Sequence, residues 1–231
     1  MSIFAIGDLH LSMDPRIKKP MDIFGDRWAN HSQRLEKAWR ETVGAEDTVI
    51  VAGDISWGLK LDEAEADLQW LNDLPGHKVM IKGNHDLWWT GITKLNRMYP
   101  NITFLQNECY EADGYFICGS RGWICPGADD FTLADDKIFK REVMRIERSL
   151  AAAQKQNATK IIGVTHFPPT NDKLQPSAFT DLFSKAGVET VVYGHLHGPE
   201  AYKKGISSLL NGVHYQLVSL DYLNCVPLKI V

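Results

Sequence analysis

Short apolar runs that are rich in Val, Ile and Phe recur along the chain and predict buried strands. Five of these runs matter most for function: Ile3 to Ile6, Thr48 to Ala52, Lys78 to Ile81, Ile161 to Thr165, and Thr190 to Tyr193. Three others have the same character: Ile102 to Leu105, Tyr115 to Gly119, and Val213 to Leu220. The pattern therefore predicts a sheet protein whose strands are short and largely buried.

Apolar residues at helical spacing separate several of these strands. One predicted helix has Asp62 as its expected N-cap and an apolar face formed by Ala64, Leu68 and Leu71. A longer helix is expected from about Asp136, with an apolar face formed by Phe139, Val143, Ile146, Leu150 and Ala153. A third is expected to end near Ala186 and Gly187, where glycine is a favoured C-cap residue. Strands that alternate with helices predict a layered α/β domain with largely parallel pairing.

Length and composition are those of a globular protein. The chain has 231 residues, with 44% hydrophobic and 23% charged residues, and no repeat or linker-like tract interrupts it. We therefore predict a single domain over residues 1–231. The formal net charge of -4 argues against binding duplex nucleic acid through a broad basic face. Bound divalent cations can supply positive charge locally, so a nuclease is not excluded.

The cysteines and the N-terminus bear on localisation. The four cysteines form no Cys-x-x-Cys pair, and their spacing is typical of reduced thiols. The first candidate ligand is already Asp8, and no apolar run is long enough to span a bilayer. We expect a cytoplasmic protein without a signal peptide and without a membrane partner.

Polar residues follow each of the five strands named first. They occur in the segments Gly7-Asp8-Leu9-His10, Gly53-Asp54, Gly83-Asn84-His85-Asp86, His166, and Gly194-His195-Leu196-His197. Ligands of open α/β sheets bind beyond the carboxyl ends of the strands, so these side chains are expected to converge on one site. Glycine precedes the polar residue in four of the five cases, which allows a sharp turn and a close approach of the backbone to a ligand.

The residue types at these strand ends indicate metal binding. Carboxylate, imidazole and amide oxygen without thiolate suit Mn, Fe, Zn or a similar divalent ion and do not suit a cysteine-built structural zinc site. There are more such groups than one tetrahedral ion needs. We therefore expect two divalent ions as cofactors, with Mn favoured.

The motifs Asp-x-His, Gly-Asp, Gly-Asn-His-Asp, a single His and Gly-His-x-His occur in this order from Asp8 to His197. In this they resemble the calcineurin-like metallophosphoesterase superfamily. The run from Gly53 to Gly58 and the segment from Met21 to Gly25 also resemble a bacterial branch of small predicted phosphohydrolases. The resemblance implies an α/β fold, a four-layer sandwich of two mixed sheets flanked by helices. It implies the following ligands: Asp8, His10 and His197 for the first metal; Asn84, His166 and His195 for the second; and Asp54 as a bridge between the two metals.

Such a centre predicts hydrolysis of a phosphate mono- or diester. Two metals about 3.5 to 4 Å apart can clamp an in-line displacement, and the hydroxide that they hold is expected to attack phosphorus. We hypothesise that His85 donates a proton to the leaving oxygen and that Asp86 holds the His85 ring. The other interpretation of Asp86 is that it caps a helix.

Several other residues have two interpretations each. Trp57, Trp88 and Trp89 follow the motifs and are candidates for stacking on a base, but we favour core packing. Arg121 is a candidate for a phosphate contact or for a structural salt bridge. Lys18 and Lys19 are candidates for the rim of the cleft, but we favour a solvated pair. The remaining histidines are interpreted as structural: His31, His77 and His214.

The leading prediction is an enzyme that acts on a small-molecule phosphate ester, with specificity set by loops at 11–32, 121–136 and 167–178. A nuclease with the same motifs is the alternative, although such nucleases normally carry DNA-binding additions. A Ser/Thr protein phosphatase is disfavoured because its second motif extends to an arginine that the run from Gly53 to Gly58 lacks. A non-catalytic scaffold is disfavoured because every ligand position is filled.

Overall fold

The computed structural model describes residues 1–231 and contains two β-sheets. The first sheet has five strands in the order β11-β1-β2-β3-β4. Their bounds are β1 Ile3–Ile6, β2 Thr48–Val51, β3 His77–Met80, β4 Ile102–Phe104 and β11 Leu228–Lys229. Strands β1 to β4 pair in parallel and β11 is antiparallel to β1. The carboxyl ends of β1, β2 and β3 therefore lie side by side.

The second sheet has six strands in the order β5-β6-β7-β8-β10-β9. Their bounds are β5 Cys109–Ala112, β6 Tyr115–Ser120, β7 Lys160–Thr165, β8 Thr190–Tyr193, β9 Leu209–Leu210 and β10 Val213–Leu217. Pairing is parallel from β6 through β10, and the two edge strands are antiparallel. Each sheet is thus mixed, as the resemblance implied.

Six α-helices and one 3₁₀ turn connect the strands. The turn covers Asp22–Phe24, and the helices are α1 His31–Thr42, α2 Leu61–Asp73, α3 Ile92–Leu95, α4 Leu133–Gln154, α5 Ala178–Lys185 and α6 Pro199–Tyr202. None of them is both long and apolar enough to cross a bilayer.

Three apolar clusters define four layers. Residues from the facing sides of both sheets form the central cluster, which includes Ile50 and Val79 from the first sheet and Ile162 and Val192 from the second. A second cluster packs α1 and α2 on the outer face of the first sheet. A third packs α4 and α5 on the outer face of the second sheet. The helix–sheet–sheet–helix sandwich confirms the predicted fold class.

Some element boundaries differ from the prediction. Helix α2 begins one residue before Asp62, with Lys60 at the N-cap position, so Asp62 lies in the first turn and is not the cap. Helix α4 begins at Leu133 because Thr132 caps it by accepting a hydrogen bond from the Asp135 N–H. The first turn of α4, from Leu133 to Asp136, contributes no buried residue, so apolar periodicity could not locate the start of the helix. Helix α1 is an element that the pattern analysis did not identify.

The predicted last strand is shorter than expected, and the reason matters for the site. Strand β10 ends at Leu217, after which the chain crosses toward the first sheet. The Gly7 N–H donates to the Val218 carbonyl at 2.7 Å, and the Leu220 N–H donates to the Gly7 carbonyl at 3.0 Å. This crossing segment joins the ends of β1 and β10, directly beside the polar residues that follow β1.

Candidate metal centre

The ends of β1, β2 and β8 turn sharply at the polar residues themselves. Asp8, His10, Asp54 and His195 have positive φ angles of 57°, 45°, 49° and 75°. This region is costly for residues other than glycine, and such strain persists only where the surroundings hold it in place. Four of the seven predicted ligands are thus held in strained backbone that aims their side chains at a common point.

Two of the preceding glycines allow the strand ends to touch. Gly53 has a φ of +85°, and a Cβ there would lie 2.8 Å from Gly83 Cα and 2.8 Å from His166 Nδ1. A Cβ at Gly83 would overlap the backbone and carboxylate of Asp54. These glycines therefore allow the close backbone approach that the sequence predicted. The sharp turns lie mainly at the polar residues that follow them.

The first ligand set consists of Asp8, His10 and His197. Their ligand atoms all lie within 4.8 Å of one another. His10 Nε2 and His197 Nε2 are 3.4 Å apart, and His197 Nε2 is 3.6 Å from Asp8 Oδ1. Asp8 and His10 are buried, whereas the His197 side chain is 31% exposed, so this set opens to solvent at His197.

The second ligand set consists of Asn84, His166 and His195. Asn84 Oδ1 lies 2.7 Å from His166 Nε2 and 3.0 Å from His195 Nδ1, and these two ring nitrogens are 3.3 Å apart. The other nitrogen of His166, Nδ1, is 2.9 Å from the Ala52 carbonyl, which can only accept, so Nδ1 carries the proton. In neutral His166 the Nε2 lone pair then faces the Asn84 oxygen, an arrangement that a cation between them would satisfy.

Asp54 lies between the two sets. Its Oδ2 is 3.8 Å from His10 Nε2 and 3.5 Å from His166 Nε2. Its other oxygen, Oδ1, accepts the His85 N–H at 2.7 Å, which fixes the carboxylate plane. Asp8 also has ligand atoms near both Asp54 and His166. The structure therefore brings all seven predicted ligand residues together, with a carboxylate positioned to face both sets.

The electrostatics of the centre are those of a cation site. Burial, together with the neighbouring Asp54, raises the pKa of Asp8 to about 7. Burial lowers the pKa of His166 to about 3, and it lowers the pKa values of His10 and His195 as well. Burial therefore disfavours the charged carboxylates and keeps these three imidazoles neutral, whereas bound divalent cations would favour both the carboxylate anions and the free ring nitrogens. The donor set of carboxylate, imidazole and amide oxygen therefore fits such ions.

Asp221 is a functional candidate that sequence reasoning missed. Its Oδ1 is 2.9 Å from His197 Nδ1, and its Oδ2 accepts the Gly198 N–H at 3.0 Å and the Tyr202 hydroxyl at 2.6 Å. Burial alone would lower the pKa of His197, but Asp8 and Asp221 outweigh it and raise this pKa. Carboxylates that accept from a ligand histidine orient the ring and increase its basicity. Asp221 follows the β10 strand and the crossing segment, which is the signal that located the other site residues.

The structure corrects the role expected for Asp86. Its carboxylate accepts from the N–H groups of Gly83 at 2.7 Å, Ile55 at 2.8 Å and Ser56 at 3.2 Å, and from Trp88 Nε1 at 3.1 Å. It makes no hydrogen bond to the His85 ring and caps no helix. Asp86 is fully buried and ties the loop after β2 to the loop after β3, so it positions Asp54 and Asn84 and does not orient His85.

His85 lies at the edge of the centre and is exposed. Its ring centroid is 4.6 Å from that of Trp57 and 5.7 Å from that of His10. Its ring belongs to neither ligand set. The placement agrees with a residue beside the metal site that is free to meet a substrate oxygen.

The tryptophans separate into two groups. Trp88 and Trp89 are buried and pack around Phe104, which is the core interpretation. Trp57 is half-buried and stacks on His10, with ring centroids 4.7 Å apart. Trp28, which the sequence analysis did not single out, packs edge-on against the rings of both His10 and His197.

The basic residues and remaining histidines have structural or surface positions. Arg121 approaches the buried Glu142 at 3.5 Å and lies over the Trp123 ring, which favours the salt-bridge interpretation. Lys19 lies 5.3 Å above the Trp57 ring, while Lys18 is exposed. His31 packs against Trp28, and His77 stacks on Tyr110. The four cysteines are unpaired.

Comparison with protein families gives one match that covers most of the chain. The family described as calcineurin-like phosphoesterase matches residues 1–199. That range contains all seven predicted ligands and ends before Asp221.

Individual relatives are more distant. The Gene 66 protein of Mycobacterium phage L5 is 42% identical over 81 residues, and the Gene 66 protein of Mycobacterium phage D29 is 34% identical over 104 residues. These alignments cover 34% and 44% of this chain and only 37% and 50% of the phage proteins. Among solved structures, the phosphopantetheinyl hydrolase of Mycobacterium tuberculosis is 16% identical, with a TM-score of 0.54 over 94% of this chain and 88% of that protein. A protein of unknown function from Aquifex aeolicus is 17% identical, with a TM-score of 0.43 over 99% of this chain and 95% of that protein. At 16% identity the likeness to the phosphopantetheinyl hydrolase shows a shared fold alone.

Proposed function

Because the chain belongs to the calcineurin-like phosphoesterases, a family of metal-dependent hydrolases, we propose that it hydrolyses a small-molecule phosphate ester with two divalent ions. The observation that carries this proposal is the position of Asp54. Its Oδ2 lies at comparable distances from His10 of the first ligand set and His166 of the second. A carboxylate placed in this way can serve two ions. Carboxylate, imidazole and amide donors suit Mn²⁺, Fe²⁺ or Zn²⁺, and we propose Mn²⁺ as the metal to test first.

Each ligand set would hold one ion, with Asp54 shared between them. When bound, the ions polarise the phosphate ester and lower the pKa of water to about 7, so that a nucleophile exists at neutral pH. The chain itself contributes the fixed geometry. The donor side chains are held in place before any substrate binds. Asp8, Asp54 and His195 are fixed by their positive-φ backbone, and the hydrogen bonds of Asp86 tie the loops after β2 and β3 together.

His85 is proposed to act on the leaving group. Its exposed ring lies next to the first ligand set, while its backbone N–H holds Asp54 Oδ1. Donation of a proton or a hydrogen bond from this ring to the departing oxygen would stabilise the alkoxide as the phosphorus–oxygen bond breaks.

Metal analysis tests the proposal first. Elemental analysis of the purified protein, dialysed against Mn²⁺ and then against metal-free buffer, is expected to find about two ions per chain. Hydrolysis of p-nitrophenyl phosphate or its bis ester is expected to depend on those ions. Well under one ion per chain together with no hydrolysis would instead favour a non-catalytic scaffold. Cleavage of single- or double-stranded DNA in preference to small esters would favour the nuclease.

The role of His85 is tested by varying the leaving group. His85→Ala is expected to lower kcat about a hundredfold on esters with poor, alkyl leaving groups and far less on p-nitrophenyl esters. Equal losses on both kinds of ester would argue against proton donation and leave only phosphate binding. Because the side chain is outside both ligand sets, the metal content of this variant should match that of the wild type.

A further inference from the structure

Two cavities adjoin the candidate metal centre, one at each ligand set. The first cavity, of about 620 Å³, is lined by His10 and His197. The second cavity, of about 340 Å³, is lined by His195 and Phe167. The two share no lining residue. Both volumes lie in the range of small-molecule sites, about 300 to 1,000 Å³, so each has room for an organic group.

The lining of the first cavity combines aromatic and apolar side chains with charged residues and histidines. Trp28 and Trp57 form its inner part beside the ligand histidines, and Met21 and Phe24 come from the long loop after β1. Phe24 is 65% exposed and does not belong to the hydrophobic core cluster beside this cavity. An exposed aromatic ring over an apolar recess favours an aromatic or apolar group on the ligand.

The second cavity has mixed walls with an excess of negative charge. Asp129, Asp130 and Asp172 line it against one cation, Lys204. Asp129 is also paired with Lys173 at 2.8 Å, which leaves Asp130 and Asp172 as the carboxylates without such a lysine partner. This excess of acceptors favours a group that donates hydrogen bonds or carries positive charge.

We infer that the substrate is a phosphodiester with two unlike arms, an aromatic or apolar arm in the first cavity and a small polar or cationic arm in the second. This inference rests on the proposed function, because it places the phosphate at the metal centre between the cavities. A water oxygen bonds to phosphorus, the bond from phosphorus to one arm breaks, and the departing oxygen takes up a proton. The products are one phosphomonoester and one alcohol.

Other ester classes use the two cavities less well. A monoester has one organic group and leaves the other cavity to solvent. A nucleic acid would bring a further phosphate into the second cavity, where three carboxylates outnumber one lysine, Lys204. The unlike walls therefore favour a diester of small alcohols over both.

Three p-nitrophenyl esters test the inference with the full-length, Mn²⁺-loaded protein. They are p-nitrophenyl phosphocholine, with an aromatic and a cationic arm, bis-p-nitrophenyl phosphate, with two aromatic arms, and p-nitrophenyl phosphate. We expect kcat/KM to be highest for the phosphocholine ester and about tenfold or more above that of the monoester, because the second arm adds binding energy. A monoester cleaved as well as the phosphocholine ester would overturn the inference.

Cavity variants assign the arms. Ala128→Phe, which fills part of the second cavity, is expected to lower kcat/KM about tenfold for the phosphocholine ester and less than about twofold for the monoester. Thr170→Ala is the smaller change at the same cavity, in case the larger side chain impairs folding. Phe24→Ala should weaken all three esters, whereas Leu133→Ala, an exposed apolar residue on α4, should change none of them. Equal losses on diester and monoester in both second-cavity variants would contradict the assignment.

Binding without turnover separates this inference from the proposed function. Saturation-transfer NMR on the metal-free protein is expected to detect p-nitrophenol and choline together, without competition between them. Phe24→Ala should weaken only the p-nitrophenol signal, and Ala128→Phe only the choline signal. This result would support the two cavities even if no ester were hydrolysed. Competition between the two compounds, or no binding of either, would contradict the inference even if esters were hydrolysed.

Discussion

The two ligand sets are built from similar residues but are supported in different ways. In the first, His197 is held by the carboxylate of Asp221 at 2.9 Å. In the second, His166 is held by the neutral carbonyl of Ala52 at the same distance. His197 is 31% exposed, whereas His166 is fully buried. His197 is therefore the more basic and accessible of these two histidines, and His166 is the more enclosed one, because its partner is main chain in the central core.

Loss of the Asp54 carboxylate, which faces both ligand sets, should weaken metal binding at both sets alike. Asp54→Asn removes the charge that faces both His10 and His166, so we expect both ions to bind weakly. A loss of several kcal/mol of transition-state stabilisation corresponds to about a thousandfold or more in kcat/KM. Elemental analysis and ester hydrolysis would measure the two effects.

Asp113→Asn, in the hairpin turn between β5 and β6, is the matched control. It makes the same chemical change at a residue that already has positive φ, as Asp54 has. Retention of two ions per chain in Asp54→Asn would show that the carboxylate is not shared.

Removal of the carboxylate behind His197 should affect the first set alone. Asp221→Asn keeps the shape of the side chain but removes the charge that raises the pKa of His197. Outer partners of this kind are worth about 10- to 100-fold in metal affinity. A metal titration followed by calorimetry should therefore show one weakened ion and one unchanged ion.

Tyr202→Phe is the control for this experiment. It deletes the hydroxyl that donates to Asp221 Oδ2 but leaves the carboxylate on His197. We expect less than about a threefold change in affinity. Weakening of both ions in Asp221→Asn would mean that the two sets do not act separately.

The sequence predicted the second ligand set and Asp54 completely. It did not predict that Asp221 supports His197 of the first ligand set. Each of Asn84, His166 and His195 comes within four residues of a buried strand, so local patterns located them. Asp221 supports a residue 24 positions earlier through a contact that exists only because the chain crosses between sheets after β10. Its place directly after the predicted strand could have marked Asp221 as a site candidate, but a local pattern carries no information on its contact with His197.

The role of Asp86 was beyond sequence reasoning for a similar reason. Adjacency to His85 suggested that the carboxylate holds that ring. Its actual partners are three backbone N–H groups and one indole, and two of those N–H groups belong to the loop after β2. The sequence also could not distinguish the tryptophans, because only the structure shows that Trp88 and Trp89 are buried whereas Trp57 is half-buried.

A substitution at Gly53 should affect the second set. In Gly53→Ala the new Cβ would approach His166 Nδ1, which now donates to the Ala52 carbonyl. We expect about a tenfold loss of affinity for one ion and a loss of stability of about 1 to 3 kcal/mol from the strained backbone. Gly212→Ala is the control, because Gly212 has a similar φ of +82° with nothing within 4 Å of the new Cβ. Equal metal affinity in the two variants would contradict the proposed contact.

The smallest expected effect is a pH dependence of stability that changes sign with metal. Burial, and then Asp54, raise the pKa of Asp8 from its ordinary value of 3.8 to about 7 in the folded, metal-free protein. Between about pH 4 and 7, the Asp8 carboxyl is therefore protonated in the folded state but ionised in the unfolded chain. The associated stability is fully present below about pH 4 and is lost as the pH rises through 7. Asp86 contributes in the same direction, because burial raises its pKa to about 7.

Thermal melts between pH 5 and 7.5, with chelator or with excess Mn²⁺, would measure this effect. The buried histidines have lowered pKa values, so they contribute with the opposite sign below about pH 6.5. The Asp8 contribution is therefore measured against Asp8→Asn, in which the amide cannot titrate and asparagine tolerates the positive φ of this position. In chelator, the Tm of the wild type relative to that of Asp8→Asn should fall by about 3 °C per pH unit. With Mn²⁺, the ligands bind the ions in their deprotonated forms, so this difference should rise over the same range. Parallel slopes with and without Mn²⁺ would show that Asp8 is not neutralised by a bound ion, and the first ligand set would then lose its central carboxylate.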